Sequence, residues 1–188
     1  MSTAPSQEEI GQFVIAAHGN VARVRELLAA QPALLNERYE KFDETALEAA
    51  AHMGNRPSAE ALLAAGAPTT ICAAAMLGRT EEVAAFLRAD PTLAGAKGAH
   101  GIPVLFHAAL SGKVEIAELL VAHGGGEGVG SALHGAVKPG HLAMARWLLD
   151  RGADPNAPNF EGKTPLRVTL DEGHAEVAEL VRGRGGHE

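Results

Sequence analysis

Gly140-His-Leu-Ala-Met-Ala-Arg-Trp-Leu-Leu-Asp-Arg-Gly-Ala-Asp-Pro-Asn-Ala-Pro-Asn-Phe-Glu-Gly-Lys-Thr-Pro-Leu166 decides how the rest of the chain is read. Met144, Trp147, Leu148 and Leu149 recur at helical spacing and mark one apolar face of a short helix. Gly152-Ala-Asp154 breaks it, a polar stretch with Gly162 suits a hairpin turn, and Thr164-Pro165 suits a new helix start.

The same order recurs along the chain. Glycines 19, 54, 78, 112, 140 and 173 each end an Ala-rich or polar segment and precede an apolar helical stripe. The stripes are Val24, Leu27, Leu28; Leu62, Leu63; Val83, Phe86, Leu87; Ile116, Leu119, Leu120; Met144, Trp147, Leu148; and Val177, Leu180, Val181. Helices of about eight to ten residues fall below the roughly 12–15 that are marginal alone, so they persist only by stacking. Ser6 and Glu9 fit a capping box opening the first of them.

This pattern resembles the ankyrin repeat, whose period is roughly 33 residues. Thr164-Pro165-Leu166-Arg167 keeps most of that family's Thr-Pro-Leu-His slot, while Thr45-Ala46-Leu47-Glu48 and Ser131-Ala132-Leu133-His134 depart further. The resemblance implies an all-α ankyrin-repeat solenoid of about six helix-turn-helix repeats with short hairpin fingers. Its expected division is a disordered tail at 1–5, repeats at about 6–40, 41–68, 69–98, 99–127, 128–159 and 160–182, and a C-terminal tail at 183–188. Long fingers are expected at 36–44, 94–102 and 155–163. Only Gly66 to Thr69 remains after the second repeat, where a finger is missing, and the Gly-rich 124–130 reads as a flexible turn.

Composition narrows the function classes. A formal charge of -7 without runs of like charge argues against nucleic acid and anionic membrane surfaces. A single cysteine, Cys72, excludes an intramolecular disulfide framework and fits a reducing cytosol; it falls in a slot that is buried in the family this chain resembles and has no His near it in sequence, so it reads as a small buried hydrophobe rather than a nucleophile. The N-terminus lacks the basic and apolar regions of a secretory signal, so a cytoplasmic location is expected. The richness in Ala, Gly and Arg suggests a GC-rich, bacterial-type source.

Nine histidines invite a metal or acid–base reading. His134, His141 and His174 sit in repeat-consensus positions and read as structural. Among His18, His52, His100, His107 and His123 no pair has local ligand spacing, so no metal ligand, cofactor or catalytic residue is assigned.

What the resemblance implies is a non-catalytic protein-protein interaction module, a monomer or homo-oligomer that binds another protein through a concave groove and its fingers. The residues expected there are Tyr39, Phe42, His52, Met53, Met76, Leu77, His100, Ile102, Leu110, Phe160 and Lys163. Apolar Met and Leu side chains with aromatic anchors are the composition of a protein-binding surface. The competing reading is a small-molecule or metal-dependent site in the same groove, built from His52, His100 and His107 with Glu44.

Overall fold

The computed structural model describes residues 4–188; the first three residues of the expected N-terminal tail lie outside the described residues. Six helix pairs follow one another: α1 (Gln7–Gly19) with α2 (Val21–Ala30), α3 (Ala46–Met53) with α4 (Arg56–Ala64), and α5 (Ile71–Met76) with α6 (Thr80–Ala89). Next come α7 (Val104–Ser111) with α8 (Val114–Ala122), α9 (Val129–Val137) with α10 (Leu142–Asp150), and α11 (Pro165–Asp171) with α12 (Ala175–Gly183). This is the expected all-α repeat solenoid. The strands among the described residues are a two-residue ribbon, β1 (Arg38–Tyr39) antiparallel to β2 (Glu44–Thr45).

Local chemistry starts these helices where the sequence places them. Ser6 accepts from the Glu9 amide while the Glu9 carboxylate accepts from the Ser6 amide, and Thr45 and Glu48 repeat that reciprocal cap on α3. The hydroxyls of Thr70 and Thr164 cap α5 and α11 in the same position. The first helices of successive pairs then pack in series, α1 on α3, α5, α7, α9 and α11 in turn. Alanines at the contacts, Ala49 to Ala51, Ala73 to Ala75, Ala108 and Ala109, are fully buried and let the helices approach closely.

The core divides within α5. Its Ile71, Cys72, Ala74 and Ala75 join a cluster that runs on to Val181, whereas Ala73, Met76 and Leu77 face the first two repeats. Met76 and Leu77 are therefore core, 1% and 4% exposed, which corrects their expected place on the groove surface. The Arg56 guanidinium reinforces this by donating to the Met76 and Leu77 carbonyls at 3.0 and 2.8 Å, closing the end of α5.

The connections set up the site. Gly66 to Thr70 passes straight from α4 into α5 with no finger. The next connection, joined by a bridge between Lys97 and Pro103, folds its Ala99–Gly101 turn back against α3 and fills the space beside the first finger. The Gly-rich segment is shorter than expected, because α9 already begins at Val129. Gly125 there lies so near the Ala94 carbonyl that a Cβ would stand 2.3 Å from its oxygen. The C-terminal 183–188, expected as a frayed tail, is held to the last finger. Asn156 accepts from the His187 amide at 2.9 Å, and Thr164 donates to the His187 carbonyl at 2.8 Å. No helix of the described residues is long and apolar enough to cross a membrane.

Candidate functional site

Glu44 ends the first finger with its side chain pointing inward and 0% exposed. A lone buried carboxylate is costly, and here three imidazoles answer it. His18 Nε2, from the last turn of α1, lies 3.2 Å from Glu44 Oε1. His52 Nε2, from the last turn of α3, lies 3.0 Å from Oε2, and His100 Nε2, from the folded-back turn, lies 3.3 Å from the same oxygen. The rings stand edge to face, His18 to His52 at 5.2 Å and His52 to His100 at 5.1 Å between centroids. Burial alone raises the Glu44 pKa, but His18 and His52 outweigh it and hold the carboxyl at about 2. The Glu44 carboxylate in turn raises the pKa of His18 against its own desolvation.

Three of the four residues of the competing reading, His52, His100 and Glu44, thus come together, while His107 does not join them. Its ring is buried in the core under Gly98 and donates through Nδ1 to the Pro103 carbonyl at 3.1 Å, and burial lowers its pKa to about 4. Sequence reasoning left His18 out of the set. The usable signal was that His18 and His52 both lie just before a repeat glycine, so stacked repeats bring them side by side.

The groove residues divide by what holds them. Tyr39 lies over Gly11 of α1 and meets Phe42 edge to face at 5.2 Å, so the first finger turns its aromatics inward. Phe42 and His100 line a pocket of about 310 Å³ together with Arg38, Asp43 and Lys97. Ile102 and Leu110 are half-buried, Leu110 against Gly54. Lys163 is paired with Asp171 at 3.0 Å and Glu161 at 3.5 Å, contacts that raise its pKa.

Met53 and Phe160 are left open to solvent, 40% and 93% exposed. Phe160 sits on a built turn. Asn159 Oδ1 accepts from the Glu161 and Lys163 amides, each at 2.9 Å, and Gly162 supplies the positive φ of 76°.

The remaining repeat histidines are structural. His141 Nε2 donates to the Leu110 carbonyl at 3.1 Å, His174 Nε2 to that of Lys138 at 3.0 Å and His134 Nε2 to that of Ala157 at 2.8 Å. The first two tie a repeat to its neighbour, and the third ties α9 to the finger that follows α10.

Comparison with known proteins identifies the repeats. Residues 71–159 match the family model described as ankyrin repeats, in 3 copies. Protein phosphatase 1 regulatory subunit 27 of Homo sapiens is 32% identical over 111 residues, covering 56% of this chain and 71% of that protein. A Caenorhabditis elegans homolog of transient receptor potential cation channel subfamily A member 1 is 46% identical over 55 residues, 29% of this chain. Ankyrin repeat domain-containing protein 17 of Homo sapiens is 43% identical over 54 residues, 28% of this chain. The chain spans only 4% and 2% of the length of these last two proteins.

Proposed function

Because the chain belongs to the ankyrin repeat family, we propose that it is a non-catalytic cytoplasmic module that binds a partner protein through its inner-helix ends and fingers. The observation that carries this reading is Phe160, a large aromatic 93% exposed at the tip of a hydrogen-bonded turn. Single exposed apolar side chains are common, but an aromatic carried on a hydrogen-bonded turn is the residue type that dominates binding hot spots. Met53, exposed at the end of α3, supplies an adaptable apolar contact on the same reading. His52, His100, Ile102, Leu110, Tyr39, Phe42 and Lys163 belong to this surface as its supporting wall. The name of the human relative, a regulatory subunit of a phosphatase, also favours a protein partner over a catalytic role. The chain acts as a monomer in this account.

Affinity capture from lysate tests it, with the wild type compared against a Met53→Ser, Phe160→Ser variant shown to be folded by circular dichroism. A protein retained by the wild type and lost by the variant is expected. Identical retention by both excludes this surface.

A further inference from the structure

From the Glu44 cluster we infer a binding site for one divalent transition-metal ion, held by His18, Glu44 and His52 with His100 as the fourth donor. Ligand atoms of His18, Glu44 and His52 all lie within 4.8 Å of one another. In a tetrahedral site with bonds of roughly 2.0–2.1 Å, neighbouring donors stand about 3.3 Å apart. His52 and His100 Nε2 lie 3.0 and 3.3 Å from Glu44 Oε2, while His18 Nε2 lies 3.2 Å from the other oxygen, Oε1, so the two carboxylate oxygens divide the three nitrogens between them.

The tautomer of His18 makes the case stronger. Its Nδ1 donates to the Val14 carbonyl at 3.0 Å, which fixes the ring with Nε2 toward Glu44 and, in the neutral ring, leaves Nε2 as the free donor atom. Either a proton on Nε2 or a metal ion between the two atoms satisfies the anionic oxygen. Glu44 Oε1 is buried without a hydrogen-bond partner even though His18 Nε2 is 3.2 Å away, so the pair is close without being aligned for a shared proton. A metal ion answers both atoms, and a ring N–H donated to a backbone carbonyl is the usual outer support of a metal-bound histidine.

Backbone conformation marks the same spot. Asp43, which precedes Glu44, and His100 are the two non-glycine residues with positive φ among the described residues, at 52° and 57°. Such conformations persist where surrounding structure enforces them and gather at ligand clamps. His100 also lines the pocket of about 310 Å³, so the outermost of the four residues is open to solvent. Three nitrogens and one carboxylate oxygen suit zinc and its late first-row neighbours and suit calcium or magnesium poorly. The ion would join the first two repeats to the connection that replaces the missing finger.

The test is titration of the metal-free full chain with Zn(II) against a competing chelator, alongside the visible absorption of the Co(II) form. One ion per chain and the intense absorption of four-coordinate Co(II) are expected. Affinity should fall by about a hundredfold in Glu44→Gln and His52→Ala and by about tenfold in His100→Ala, with no change in His123→Ala, an exposed control. His100 lies on a surface connection, so its variant keeps the test decisive if the Glu44 variant does not fold. Wild-type binding no tighter than that of His100→Ala, or equal loss in His123→Ala, overturns the inference.

Discussion

The imidazole of His141 lies directly over Gly112: a Cβ on that glycine would stand 2.7 Å from its Cγ and Nδ1. Gly112 also has φ of 72°, so one residue type meets both a backbone and a packing demand. Gly152, with φ of 87° and open space around it, meets only the first. Gly152→Ala is expected to cost about 1 kcal/mol and Gly112→Ala about 2–3 kcal/mol in urea denaturation. In the His141→Ala background the excess at position 112 should shrink, because the clash is removed.

Met76 and Leu77 separate core from surface. Replacing both with Glu buries two carboxylates without partners and is expected to unfold the chain or cost at least about 4 kcal/mol. Phe160→Glu should change stability by less than about 0.5 kcal/mol, since nothing packs on that ring. Denaturant midpoints measured side by side check both.

The difference between those two positions shows how far the chain could be read beforehand. Periodicity identified the helices, because each apolar stripe must face the stack, and the Ser6–Glu9 cap and the absent second finger followed from local chemistry. Which face of α5 is covered did not follow. Met76 and Leu77 stand where exposed residues usually do, and they are buried because a finger is missing and Arg56 and the second repeat close over them. His18 and His52 share only their place before a repeat glycine, and Glu44 and His100 carry no spacing signal, since they come from a finger and a folded-back turn. Phe160 was legible because its turn is local, built by Asn159 and Gly162.

Acid should weaken the fold through its buried histidines. Burial pushes His107 down to about 4 and also lowers His134. As pH falls below their ordinary value the unfolded chain takes up protons that the folded chain refuses, so stability is lost between about pH 6.5 and 4. His107 alone contributes a loss of about 2 kcal/mol from pH 7 to pH 5. His18 works the other way, since its raised pKa adds stability at low pH. Denaturation at the two pH values should show a smaller acid loss in His107→Asn than in the wild type; an equal loss excludes His107 as the source.

The most direct measurement on the proposed function is photo-crosslinking in cells from a reactive aromatic amino acid placed at position 160, with a second variant carrying it in place of Ala30 on the outer side. Ala30 is exposed at the end of α2, the second helix of the first pair. A discrete protein adduct from position 160 that is missing from position 30 and reduced by Met53→Ser is the predicted result. No adduct from position 160, or the same adducts from both positions, would contradict the account.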